Sequence, residues 1–441
     1  MIRLLASAAI AATIALGTPS ATLAFQSPAS APATASAFDQ RAAQLVDLLN
    51  GKIAFADYFD PSFQNDVPEA QFKTFTAGLI AQYGRPIAVD RATPTGGRSG
   101  TVLLRLERGV ATVLLEVGAA ADARVTGLRV TGVAVANDSF DKVAAEIAAL
   151  PGQTGFLVAE LGDAGIRPLA SAHPDRQFAV GSTIKLYILD ELAAQVAAGK
   201  RKWSDVVPLS HFSFSSAGTA NWLADTPVTL QTLANWMISV SDNGATDTLI
   251  HLLGRAPIEA RMKGAGHSDP SRNIPLLTTV EAFALKGNNF NDLRPIFIKG
   301  DDAAQRKLVE SNQNRLTLAN VDGISFTDGP RFIDSLEWFA SPNDIARLMV
   351  DLRARQSKTL LAAMAINNGV GPVAAADWKY LGYKGGSENG VLSMSLLGQR
   401  KSDGKWYVVT ASWNNPDANV DTGPLIGLVT RLLALAAKTA S

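Results

Sequence analysis

The sequence predicts an α+β chain of two modules, a small helix-then-meander unit followed by an antiparallel sheet flanked by helices. Three observations predict it. The chain has 441 residues, more than one hydrophobic core usually organises. Helical periodicity at residues 38–49 and 69–83 gives way to short strand-like runs at 87–90, 101–107, 111–116 and 124–135. Much later, three strand-like runs at 380–384, 391–397 and 406–413 follow a long helical stretch, after an earlier run at 154–160.

The elements are justified in order. Met1-Ile2-Arg3, an alanine-rich apolar run from Leu4 to Leu16 and then Gly17-Thr18-Pro19 have the layout of a secretory signal. Cleavage is expected after Ala24, which places the mature chain in the periplasm or outside the cell. The run is too short for a membrane span, and no later stretch reaches spanning length. Residues 25–37 are rich in Ala, Ser and Pro and read as a disordered linker. Residues 38–136 form the small α+β unit, with Arg108-Gly109 as a turn between two of its strands. Residues 137–441 form the second module. It opens with a bridging helix at 137–150 and breaks at Pro151-Gly152. A strand pair at 154–160 and 170–178 follows, and a core-packed helix around 425–437 closes the chain.

Composition excludes several classes. Lys plus Arg equals Asp plus Glu, at 40 each, so no basic excess supports nucleic-acid or anionic-membrane binding. There is no cysteine, hence no disulfide, no lipid anchor on cysteine and no thiol chemistry. His173, His211, His251 and His267 form no His-x-His or His-Glu-x-x-His pattern, so a zinc hydrolase is disfavoured and no cofactor is expected. Gly-x-Ser-x-Gly is absent.

Ser182-Thr183-Ile184-Lys185 carries the chemistry. A serine hydroxyl needs a base to take its proton, and serine and lysine three apart share one face of a helix. Lysine must be desolvated, and helped by cationic neighbours, to act as a base near neutral pH. Phe178 to Gly181 leads into Ser182, while Leu186, Tyr187, Leu189 and Leu192 continue at helical spacing, so Ser182 is expected at a helix N-terminus. Ser402-Asp403-Gly404-Lys405 matches the same pattern, but its Asp-Gly reads as a hairpin turn. Ser241-Asp242-Asn243 and Lys384-Gly385-Gly386-Ser387 follow in chain order.

These three motifs resemble the set of class A β-lactamases and penicillin-recognising serine hydrolases. The passage from Thr226 through Trp236 to Asp247, and Trp338 through Pro342 to Leu348, are similar to the same family. The resemblance covers residue 150 to the C-terminus with an interrupted middle. It implies a β-lactamase/transpeptidase-like fold and an acyl-enzyme mechanism. Ser182 would be the nucleophile, Lys185 the base and Ser241 the proton shuttle to the leaving group. Lys384 would draw a substrate carboxylate, Asn243 would hold Lys185 or the substrate amide, and the amides of Ser182 and Ser387, beside Gly386, would form the oxyanion hole. The order of elements in 38–136 resembles nuclear-transport-factor-2 (cystatin-like) domains, with an accessory role implied.

Two departures stand out. Gly385 replaces the hydroxyl residue that usually follows the strand lysine. No glutamate meets every requirement for the residue that activates the deacylating water. Glu281 is nearest in spacing, but Leu285 replaces the expected Asn, and Thr278 to Glu281 also spell a helix capping box. Glu310 and Asn314 match the spacing pattern but lie too far along the chain, and Glu337 fits less well. Three functions stay open. The first is a β-lactamase and the second a D-Ala-D-Ala peptidase or esterase with slow deacylation. The third is a non-enzymatic acyl-binding or cell-wall protein. The expected partner is a small β-lactam, ester or peptidoglycan peptide.

Overall fold

The computed structural model describes residues 36–439; the expected export signal, and the linker up to residue 35, lie outside them. Helix Ala37–Leu49 begins at a capping box between Ser36 and Asp39. Short turns and helix Glu69–Tyr83 lead into four antiparallel strands, Pro86–Pro94, Ser99–Leu106, Gly109–Val117 and Val125–Val135, paired in chain order. Alternate residues of the two central strands, such as Val102, Leu104, Ala111 and Val113, point into a core with Phe38, Leu45, Tyr58 and Phe59. The small helix-plus-meander unit is therefore present; its first three strands are longer than the sequence suggests and its fourth is one residue shorter.

The second module is built on a five-stranded antiparallel sheet in the order Trp378–Glu388, Val391–Arg400, Trp406–Asn414, Gln153–Gly162, Gly165–Ala172. Its inner strands are buried along nearly their whole length, because helices cover both faces. The expected second strand at 170–178 is corrected to Gly165–Ala172. Gly165, with φ 112°, supplies the left-handed residue of a tight hairpin and starts the strand earlier. Residues 178–179 instead make a two-residue strand against Phe339–Ala340. Asp403 and Gly404 lie in the turn between strands Val391–Arg400 and Trp406–Asn414, so the second Ser-x-x-Lys match is a hairpin.

Side chains from the sheet fasten the segment ahead of Ser182. Asn414 brackets Ala179, its Oδ1 accepting from the Ala179 amide at 2.8 Å and its Nδ2 donating to the Ala179 carbonyl at 2.9 Å. Ser393 Oγ donates to the Val180 carbonyl at 2.9 Å and lies 2.6 Å from Thr183 Oγ1. Gly386 makes the closest approach. A Cβ there would sit 2.0 Å from the Val180 carbonyl oxygen and 2.5 Å from the Ser182 amide nitrogen.

The terminal helix Thr422–Lys438 packs on this sheet and also touches strand Val125–Val135 of the small unit. At that seam Arg431, only 5% exposed, bonds Asp138 and Glu146 with both ends of its guanidinium. Among the described residues no helix is long and apolar enough to cross a membrane.

Two stability outcomes follow from this packing. Arg431→Ala leaves two carboxylates facing each other at the seam and is expected to cost about 3 kcal/mol, read as a lower denaturation midpoint. Gly386→Ala forces backbone against backbone and is expected to cost about 2 kcal/mol. Gly132→Ala, which meets open space, should stay within about 0.5 kcal/mol of the parent by the same measurement.

Candidate active site

Gly181–Ile184 is a 3-10 turn that runs into helix Lys185–Ala197. Ser182 thus stands on a tighter turn ahead of the α-helix, and its side chain caps nothing. Gly181 takes φ 48°, a conformation that suits glycine and lets the chain bend under strand Trp378–Glu388. The result is a cleft of about 390 Å³ in which Ser182, Ser241, Asn243, Lys384, Gly386 and Ser387 all line the wall.

Lys185 is completely buried beneath it. Its ammonium donates to the Ser241 carbonyl at 2.6 Å, to Ser241 Oγ at 3.2 Å and to Asn243 Oδ1 at 2.6 Å. None of these bonds goes to Ser182, as the spacing of three would suggest. The lysine's three bonds turn it instead toward the Ser241–Asn243 segment. Burial pulls the Lys185 pKa down to about 7, against the opposing pull of Asp247 and Asp242.

Ser241 owes its position to backbone strain and a cap. Its φ of 61° lies in the left-handed region, which costs a non-glycine residue roughly 1–2 kcal/mol. In exchange, both its carbonyl and its hydroxyl face Lys185. Asp242 holds the bend as N-cap of helix Asn243–Leu253, accepting from the Ala245 amide at 2.7 Å. It also accepts from the Gly218 and Thr219 amides at 2.7 and 2.8 Å. Asn243 is fixed by Nδ2 donating to the Phe214 carbonyl at 2.8 Å, which leaves its oxygen for the lysine. One turn along the helix, buried Asp247 accepts from the Thr279 and Val280 amides, and burial raises its pKa to about 6.

Lys384 is 2% exposed. It donates to Ser241 Oγ at 2.9 Å and to the Gly385 carbonyl. Burial, then the charge of Lys185, holds its pKa well below the usual lysine range. Ser241 Oγ therefore sits between two lysines. Ser387 closes strand Trp378–Glu388, and its amide is 3.4 Å from where a Gly181 Cβ would be. The amides of Ser182 and Ser387 thus flank the same backbone contact.

The glutamates separate. Glu281 completes the capping box with Thr278 and pairs with Arg255 at 2.5 Å, so both its oxygens are committed. Glu310 is exposed on helix Asp302–Ser311 and does not line the cleft. Glu337 is in the cleft wall, together with Glu388, and both bond the buried Lys286. The Trp338 amide donates to Glu337 at 3.0 Å. Sequence reasoning ranked Glu337 low and gave Glu388 and Lys286 no role. The only local signal was that Glu337 directly precedes the Trp338-Phe339-Ala340-Ser341-Pro342 helix start. Among the described residues no cluster of three or more His, Asp or Glu side chains is placed to hold a metal ion.

Known structures resemble this chain at low identity. A β-lactamase from Sphaerobacter thermophilus is 21% identical, with a TM-score of 0.47, covering 68% of this chain and 97% of its own. PBP-A is 17% identical with a TM-score of 0.46, covering 67% of this chain and 94% of its own. The class A β-lactamase-like PenP from Rhodopseudomonas palustris is 16% identical with a TM-score of 0.46, covering 68% and 99%. No curated protein gives a significant sequence match. A model of the β-lactamase enzyme family matches residues 138–365, more than half of the sequence. On that match the chain belongs to the β-lactamase enzyme family and is a serine hydrolase.

Proposed function

We propose that the chain is an exported serine hydrolase that opens β-lactam rings by acyl transfer to Ser182. One observation carries this reading: Lys185, with its pKa drawn to about 7, lies buried directly beneath the cleft lined by Ser182, Ser241 and Lys384 and is bonded to Ser241. The ammonium of Lys185 has three acceptors for its three protons. When one proton leaves, a lone pair becomes free to take the proton of Ser182 as its oxygen attacks the carbonyl carbon. The C–N bond of the ring then breaks, and Ser241, held by both lysines, hands a proton to the departing nitrogen. The amides of Ser182 and Ser387 stabilise the oxyanion, each worth about 3 kcal/mol in the transition state. Lys384 attracts a carboxylate on the leaving half without the hydroxyl that usually assists it, since Gly385 follows.

A second reading is favoured by the glutamates. Glu281 is locked in its cap, Glu310 is remote, and the oxygens of Glu337 are taken by Lys286 and the Trp338 amide. None stands ready to activate water. Slow release of the acyl group, as in a D-Ala-D-Ala peptidase or esterase of the penicillin-binding type, fits this better than rapid turnover. A purely acyl-binding or cell-wall interaction role has no observation in its favour. For residues 38–136 we retain an NTF2-like accessory domain, on its helix-then-meander order, and for the mature chain a periplasmic or secreted location.

Intact mass after mixing with benzylpenicillin separates these readings. A persistent adduct on Ser182 is expected, absent in Ser182→Ala, whereas fast release of opened product would mean a β-lactamase. The absence of both adduct and product would reject acyl transfer to this class. Because neutral Lys185 is the reactive form, acylation should slow about tenfold for each unit of pH below about 7 and level off above it. Lys185→Ala should lose about a thousandfold in the acylation rate and its pH dependence. A flat profile in the parent protein would remove Lys185 as the base.

A further inference from the structure

Strand Trp378–Glu388 carries opposite charges on either side of the reactive serine. Side chains on a strand alternate between its faces, so Lys384, Gly386 and Glu388 share one. The face of Gly386 looks onto the Ser182 turn, as its missing Cβ shows. At about 3.3 Å per residue, Lys384 and Glu388 stand about 13 Å apart, with Gly386 midway.

Glu388 does not belong wholly to the core. It shares Lys286 with Glu337, but its side chain is 18% exposed, against 1% for Glu337 and 2% for Lys286. It lines the catalytic cleft and also a neighbouring pocket of about 170 Å³. That pocket is walled by Phe214, Phe283 and Phe326, whose rings lie 5.2–5.6 Å apart. Arg331 also lines it, and its guanidinium is engaged by the Lys286 carbonyl and Asn288. Two carboxyl groups thus share one ammonium, and Glu388 is the one that opens toward the cleft.

We propose that Glu388 recognises a protonated amine on the acyl half of the substrate, so that the strand grips a zwitterion, carboxylate toward Lys384 and ammonium toward Glu388. The term acyl half rests on the acyl-transfer reading of Ser182; the amine site itself does not. Burial and the adjacent Glu337 raise the pKa of Glu388. An arriving ammonium places a second cation beside the two carboxyl groups and favours their charged form. The apolar pocket beside the carboxylate suits the hydrocarbon or ring to which the amine is attached.

The test compares ampicillin with benzylpenicillin, which differ only by the ammonium group. Binding to the full-length Ser182→Ala protein is measured by calorimetry, which needs no turnover. Ampicillin is expected to bind at least about tenfold tighter, the worth of one charge-assisted hydrogen bond. Adding Glu388→Gln should bring the ratio of affinities close to one, and Glu388→Asp, which keeps the charge but draws it back, should give an intermediate ratio. Equal affinities at the outset, a ratio that survives both substitutions, or binding of neither compound would overturn the proposal. Labelling of the native serine by benzylpenicillin is scored separately, so a failure of acyl transfer is told apart from a failure of amine recognition.

Discussion

The site depends on one lysine ammonium removed from water. Isolated burial of such a charge is costly unless it is paired or hydrogen-bonded, or else it gives up its proton. Lys185 meets that demand with three acceptors and a lowered pKa rather than with an ion pair. Each acceptor places its own demand on the fold. The Ser241 carbonyl faces the lysine only because Ser241 takes a left-handed backbone. That bend is held by Asp242, which caps a helix and binds a separate loop at once. The Asn243 oxygen is free only because its amide group is committed elsewhere. Structural hydrogen bonds and chemical reactivity therefore share the same atoms.

The second constraint is steric. The serine turn and strand Trp378–Glu388 approach so closely that Gly386 has no room for a side chain. Ser393 and Asn414 fix the backbone just ahead of the serine from the two strands beyond. The turn that carries Ser182 is thus held by the sheet from one side and by helix Lys185–Ala197 from the other. Pre-organisation of this kind is what lets backbone amides act on a developing oxyanion without rearrangement.

Most of the fold was legible in the sequence because its signals are local. The helix-then-meander order, the Asp-Gly hairpin at residues 403–404 and the capping box at Thr278 each depend on a few neighbouring residues. The three motifs were legible as a set, and the structure lines one cleft with Ser182, Ser241, Asn243, Lys384, Gly386 and Ser387, with Lys185 buried beneath it. What escaped was geometry that spacing does not determine. A 3-10 turn replaced the expected α-helical start, and Lys185 bonds Ser241 and Asn243 rather than Ser182. The Lys286–Glu337–Glu388 group was also hidden, since its members come from three distant segments and share no pattern. Glu281 and Glu310 matched the pattern but not the place: one is a helix cap and the other a surface residue.

The strand order of the catalytic sheet has a consequence for how the chain reaches this state. Its earliest long strand, Gln153–Gly162, is an interior member whose inner neighbour is Trp406–Asn414, the last strand to be made. During synthesis, that early edge has no mate until strand Trp406–Asn414 has emerged. Sheet closure of such high contact order is slow and leaves apolar edges open to wrong partners. A molecule wired this way is expected to rely on a holding factor, or on passage in an unfolded form, before its two ends can meet.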